Sequence, residues 1–282
     1  MLSQLWKEKI VKREDIFISS KLGYFQGCAE HGYDLLNMRH QLEMSLRNLR
    51  SDYIDIYFFH HLDFGNSDIY LENAILQMLK FQDQGKIRFI GLRGPHKFSI
   101  LRKQNITSDE NEYQRFINLF QKIKPDVIGV RYNMISPTYD HSKTDIFEWS
   151  TENNVGVVVY KPLGQGLLLD KYDPSNPPQF SEFDHRNRKY WFQEKGLSIL
   201  KGRIDELKKY FGISTTQELV QLAIAYCLYR KNISSVLVGF KNKKQISEAL
   251  HMRNRLNSDE IAFIQRNFSD INSQIGDFIK FK

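Results

Sequence analysis

Leu42-Glu43-Met44-Ser45-Leu46-Arg47-Asn48-Leu49-Arg50-Ser51-Asp52-Tyr53-Ile54-Asp55-Ile56-Tyr57-Phe58-Phe59-His60 passes from a helical period to a strand-like run in mid-course. Met38, Leu42, Ser45/Leu46 and Leu49 recur every three to four positions, which is one face of a helix. Asn37 is the expected cap of that helix. Tyr53–Phe59 reads as a strand, and it ends on His60-His61. The same alternation extends in both directions. Upstream, the run Ile16–Lys21 reads as a strand, followed by a Gly- and aromatic-rich loop, Gly23–Asp34. Downstream, Leu71, Ala74, Ile75, Met78 and Leu79 mark a helix that stops at Gln84-Gly85, where glycine suits the cap. Strands are then expected at Ile87–Leu92, Val127–Arg131, Gly156–Tyr160 and Ser235–Val238. Helices are expected at Asp109–Lys124 (stopped by Pro125), Asp145–Asn153, about Tyr190–Tyr210, from Thr215 or Thr216 through Cys227, Lys243–Arg255 and Ser258–Phe268.

Repeated strand–helix alternation implies parallel βαβ units in an α/β fold. About six strands are legible, two fewer than the eight of a conventional closed barrel. Leu2–Val11 reads as the end of a helix whose own strand is missing. Asp170–Asp184, with Pro174, Pro177 and Pro178, reads as an excursion over the strand ends rather than a linker. The whole chain, 1–282, is therefore expected to be one domain.

Nearly every strand ends on a cationic or imidazole side chain: Lys21, His60-His61, Arg93, Arg131, Lys161 and Lys241. With 40 Lys plus Arg and 8 His in 282 residues, about one position in six is basic by composition, so this run of basic ends exceeds chance. In a parallel barrel the C-terminal strand ends share one face, and active sites lie there. Positive charge on that face suits an anionic ligand, above all one carrying phosphates.

Composition excludes several classes. A hydrophobic content of 41% with 26% charged residues is that of a globular domain. No apolar run approaches the roughly 20 residues of a membrane span, and the N-terminus has no signal-peptide core. Cys28 and Cys227 stand in no metal or redox spacing, which fits a reducing cytoplasm. The net charge of +7 comes without a compact Lys/Arg block or stacking motif, so nucleic-acid binding is not expected. His31, His96 and His185 lack ligand spacing, so no metal site is expected.

The quoted stretch, ending on His60, is similar to the most distinctive signature of the aldo-keto reductase superfamily. Four further segments resemble that family in the same order: Arg13–Lys21, Gly85–Gly91, Tyr160–Leu168 and Val238–Glu248. The resemblance implies a (β/α)8 TIM barrel, here apparently lacking the first two barrel strands. It also implies NADPH bound at the C-terminal strand ends and hydride transfer to a small-molecule aldehyde or ketone. Lys21 and His60 match the family's catalytic lysine and histidine. Arg93, Tyr160, Lys161, Leu163, Gln165, Gly239, Lys241, Gln245 and Glu248 stand at positions that contact the cofactor, with Tyr160 stacking on the nicotinamide. Lys241, Lys243 and Lys244 at a helix N-terminus favour a 2′-phosphate, hence NADP rather than NAD.

The chain departs from the family pattern in several places. The tyrosine and aspartate that complete the family's catalytic set lie in a segment upstream of the one this sequence matches. Arg93-Gly94 replaces a common Ser-Asn, Gly129 a common Gln, Lys161 a common Ser, and Ala249 a common Asn. The added cations would hold the pyrophosphate differently or select an acidic or phosphorylated substrate. The alternative to an active reductase is a non-catalytic protein of this fold that binds cofactor or a partner.

Overall fold

Ile54–Phe59 forms strand β2, and all of its residues are buried, as a parallel strand covered on both faces requires. It pairs in parallel with β1 (Ser19–Leu22) and with β3 (Ile87–Arg93). β3 pairs in parallel with β4 (Val127–Arg131), and β5 (Gly156–Tyr160) with β6 (Ser235–Leu237). The six strands form one sheet in chain order, β1 to β6. The helices, in chain order, are α1 (Leu2–Lys7) before β1, then α2 (Leu35–Leu49), α3 (Leu71–Asp83), α4 (Ser108–Ile123), α5 (Ile146–Glu152), α6 (Glu194–Phe211) and α7 (Thr216–Leu228) between strands, and α8 (Lys243–Leu250) and α9 (Ser258–Phe268) after β6. The computed structural model describes residues 2–94, 108–136, 146–251 and 255–271. His96, Asp145 and residues 252–254 lie outside those residues, and the helix expected to reach Arg255 ends at Leu250, where His251 turns extended. No helix among the described residues is long and apolar enough to cross a membrane.

Two compact units are distinguished, Met1–Val130 with Trp149–Val157, and Arg131–Glu148 with Val158–Lys282. In the first, Asp55 is the central polar group. Its side chain is 1% exposed, and a carboxylate so buried is costly unless paired and hydrogen-bonded. Arg13 Nη2 and Arg88 Nη1 each donate to it at 2.9 Å, and the Ile18 backbone N–H donates at 2.8 Å. Both guanidinium groups lie on the Tyr53 ring, at 4.0 and 4.3 Å from its centroid. The entries of β1, β2 and β3 are thereby tied to one carboxylate. Asp126 repeats the device before β4: its carboxylate accepts from Ile90 N at 2.8 Å, and its carbonyl accepts from Gly156 N at 3.0 Å.

Two local expectations are corrected here. The first strand begins at Ser19, not Ile16, and Arg13–Asp15 forms a 3-10 turn. Arg13 Nη1 takes the Ile16 carbonyl at 2.7 Å and Asp55 takes the Ile18 amide, so side chains satisfy backbone groups that a ladder would otherwise use. The cap of α2 is Asp34, which accepts from Leu36 N and Asn37 N, rather than Asn37. Asn37 instead donates to the carbonyls of Phe25 and Gly32, both at 2.9 Å, and so pins the loop after β1. Met38, Leu42 and Leu46 are the buried face of α2, as the spacing predicts.

In the second unit, α6 buries Leu197, Leu200, Ile204 and Leu207, and α7 buries Leu219, Val220 and every residue from Leu222 to Cys227 behind a Thr215–Glu218 capping box. Tyr132 and Tyr226 stack at 5.3 Å. Asp170 starts the long excursion in a left-handed conformation and is held by Lys201 and Lys208, the latter at 2.8 Å. Asp184 ends it, accepting Arg186 N at 2.9 Å.

Replacing Asp55 by Ala leaves Arg13 as an unpaired cation that is only 12% exposed. A loss of about 3 kcal/mol or more is expected, read as a lowered urea midpoint. An unchanged midpoint would contradict the central role of this carboxylate.

Candidate active site

The first unit brings Lys21, His60 and Arg93 to neighbouring strand ends. Parallel pairing sets Lys21 beside Phe58 and Phe58 beside Gly91. His60 and Arg93 follow two residues further on, on the same face by the two-residue period of a strand. Gly91 is needed here: a Cβ would lie 2.3 Å from the Phe58 ring. That ring lies 5.9 Å from the Lys21 ammonium, centroid to Nζ. Arg93 Nη1 donates to the His60 carbonyl at 3.2 Å, and the Tyr24 ring meets the His60 ring edge-on at 4.9 Å. His60 N donates to Leu22 O at 3.0 Å, and His60 Nδ1 is buried without a hydrogen bond among the described residues.

Burial first, then Arg93, Lys21 and His61, push the His60 ring down to about 4, so it is neutral at ordinary pH. Burial and then Arg93 also lower Lys21. Like charges and desolvation act in the same direction on both groups. Beside them His61 serves as scaffold. Its Nε2 lies 2.8 Å from Gly23 O, and the Tyr33 hydroxyl donates to His61 O at 2.7 Å while accepting from His61 N at 3.0 Å. Burial raises the Tyr33 hydroxyl well above the usual phenol range, so it remains a donor. Gly32 allows this closure, since a Cβ there would meet Gly23 O at 2.1 Å.

The second unit carries the other expected residues. Lys161 follows β5 with φ +61°, and Gly164, Gln165 and Gly166 are also left-handed, which makes a tight turn around Leu163. Asn133 Nδ2 fixes the turn by donating to Lys161 O at 2.8 Å. The Tyr160 hydroxyl is buried without a hydrogen bond among the described residues. At α8, Asn242 caps the helix by accepting from Gln245 N at 3.0 Å, and Gln245 Oε1 accepts from Lys241 N at 2.7 Å. Glu248 lies 3.8 Å from the Lys244 ammonium, and nothing lies within 4 Å of a Cβ built on Gly239.

Two residues here were not among those expected from sequence. Lys189 donates to Gln165 Oε1, and Gln165 Nε2 lies 2.8 Å from His185 Nε2. Burial, then Lys161, Arg131 and Arg186, lower Lys189 to about 8. Neither residue sits at a strand end, so the strand-end pattern does not point to them. The weak signal is the basic density of His185-Arg186-Asn187-Arg188-Lys189.

The chain is similar to known proteins over most of its length. A model of the aldo/keto reductase family matches residues 1–267. L-galactose dehydrogenase of Arabidopsis thaliana is 26% identical over 251 residues, covering 88% of this chain and 67% of that protein. An aldo-keto reductase of Schizosaccharomyces pombe whose name specifies NADP(+) is 24% identical, covering 86% of this chain and 66% of that protein. The structure of a glycerol dehydrogenase from Gluconobacter oxydans superimposes with a TM-score of 0.67 at 20% identity, over 97% of this chain and 76% of that one, and shares the fold.

Folding holds the His60 pKa below its ordinary value of 6.5, so protonation favours the unfolded chain. Its share of stability is intact above about pH 6.5 and is lost as pH falls toward about 4. NMR titration should place the His60 ring near 4, and Arg93→Gln should move it upward. Titration of the wild-type ring at 6.5 would contradict this electrostatic picture.

Proposed function

The chain belongs to the aldo/keto reductase family, and from that premise we propose that it is an NADP-dependent oxidoreductase that reduces an aldehyde or ketone by hydride transfer. The observation that carries this reading is the grouping of a neutral His60 with Lys21 and Arg93 at the ends of β1, β2 and β3. A carbonyl oxygen under reduction gains negative charge. A neutral imidazole donates a hydrogen bond to it, and the Lys21 charge stabilises it in a partly desolvated setting. These two residues are the proposed catalytic groups.

The second unit fits the cofactor residue by residue. The orphaned Tyr160 hydroxyl marks a ring that would stack on the nicotinamide. The left-handed turn from Gly164 to Gly166, with Lys161, Leu163 and Gln165, would hold the pyrophosphate. Gly239 leaves room for close approach, and Lys241, Lys243 and Lys244 stand at the N-terminal end of α8, where an anion is favoured. Gln245 and Glu248 follow on the next turns of that helix. These cations support NADP over NAD, as does the NADP(+) in the name of the fission-yeast relative. When bound, NADPH supplies the hydride. The exposed Cys28 and buried Cys227 fit a cytoplasmic setting.

The test is NADPH consumption by the full chain with a panel of aldehydes and ketones. Lys21→Met should lower kcat/KM by about 100-fold or more while NADPH still binds. NADPH binding without turnover of any carbonyl would replace this reading with a cofactor-binding protein that does no chemistry.

A further inference from the structure

His60 and His61 stand beyond Phe59, where β2 ends, so regular strand pairing no longer fixes the backbone that carries the His60 ring. Four hydrogen bonds hold it instead, two of them from one side chain. His60 N donates to Leu22 O at 3.0 Å, and Arg93 Nη1 donates to His60 O at 3.2 Å. The Tyr33 hydroxyl accepts from His61 N at 3.0 Å and donates to His61 O at 2.7 Å. The peptide group that follows His60 is thus held at its oxygen by Arg93 and at its nitrogen by Tyr33. The loop after β1 is shaped around this phenol. Tyr33 is fully buried, its ring stacked on Phe64 at 4.5 Å and edge-on to Phe59 at 5.4 Å. A Cβ on Gly23 would lie 2.2 Å from the Tyr33 ring, so glycine is what lets the loop pass it. Phenylalanine would suit the aromatic surroundings as well. The hydroxyl, a polar group brought into an apolar site, is accounted for by its two bonds to His61.

We propose that Tyr33 is a positioning residue: through its two bonds to His61 it fixes the peptide after His60 and thereby aims the His60 ring at the reacting carbonyl. The inference rests on the carbonyl-reductase reading above. A group that gives a hydrogen bond to a developing oxyanion must be held within about 0.5 Å of its productive geometry, and a displacement of about 1 Å costs up to about 100-fold in rate. Tyr33 acts as a neutral hydroxyl, since burial raises it well above the usual phenol range. Without that hydroxyl, the His61 N–H and C=O turn to water for partners, and the end of β2 opens. The His60 ring is then less buried. Burial is the largest cause of its low pKa, so the ring should titrate closer to its ordinary 6.5.

The experiment compares Tyr33→Phe, which removes the hydroxyl alone, with Phe64→Leu, which keeps the hydroxyl and disturbs the ring stacked on it. Thermal melts, NMR titration of the His60 ring, NADPH affinity and carbonyl turnover are read for each. Tyr33→Phe should lower kcat about 10- to 100-fold, raise the His60 pKa and leave NADPH affinity unchanged. Phe64→Leu should lower the melting temperature and leave kcat and the His60 titration near those of the wild type. A raised His60 pKa in Tyr33→Phe, with no turnover of any carbonyl by the wild type, supports the positioning role and removes the reductase reading. Turnover by the wild type, with kcat and the His60 titration unchanged in Tyr33→Phe, overturns the positioning role and leaves the reductase reading standing. Equal changes in both variants reduce Tyr33 to core packing and also overturn it. Should Tyr33→Phe fail to fold, hydrogen exchange of the wild-type chain decides. A His61 amide protected as strongly as the amides of β2 supports the clamp, and one that exchanges like an open loop overturns it.

Discussion

A single buried carboxylate organises the first unit. Asp55 sits at the entry of β2, takes two guanidinium groups and the Ile18 amide, and so ties the entries of β1, β2 and β3 to one point. Strands tied at their entries have their register set, and the register decides what arrives at the other end. Lys21 falls beside Phe58, Phe58 beside Gly91, and His60 and Arg93 then stand as neighbours. A slip of one residue would turn each of these side chains to the opposite face. The charge arrangement at the site is thus a consequence of a charge arrangement at the far end of the same strands.

The two ends solve opposite electrostatic problems. At the entry, cations and carboxylate satisfy one another, and the result is structural. At the exit, burial and like charges act together, and His60 and Lys21 both lose affinity for protons. Perturbed groups of this kind cluster at functional sites, which is why Lys21 and His60 are the proposed catalytic groups. The second unit shows the same habit by itself, with Lys189 lowered by burial and by Lys161, Arg131 and Arg186 while it is held on Gln165.

Much of the fold was legible because its elements follow strong periodicity. Val127–Arg131, Gly156–Tyr160 and Ser258–Phe268 coincide with the expected bounds, and β2 and β3 differ by a single residue. The errors have physical causes. β1 starts late because Arg13 and Asp55 capture backbone groups from afar in sequence, which no local pattern reveals. Asn37 looked like a cap because its residue type suits one, but Phe25 and Gly32 carbonyls use it instead. The basic residues at the strand ends could be named from the chain alone, and their roles are proposals. His61 as a loop anchor, and Lys189 with His185 beside Gln165, depend on tertiary contacts of 20 residues or more in separation.

The proposed function depends on NADPH binding by the residues of the second unit, at the turn after β5 and the start of α8. A fluorescence titration of the purified chain with NADPH tests it most directly, with Lys241→Ala as the paired variant. Micromolar binding, weakened about 10-fold or more by loss of a charge-assisted phosphate contact, is the predicted result. A folded chain, verified by its melt, that fails to bind NADPH at millimolar concentration would contradict the account.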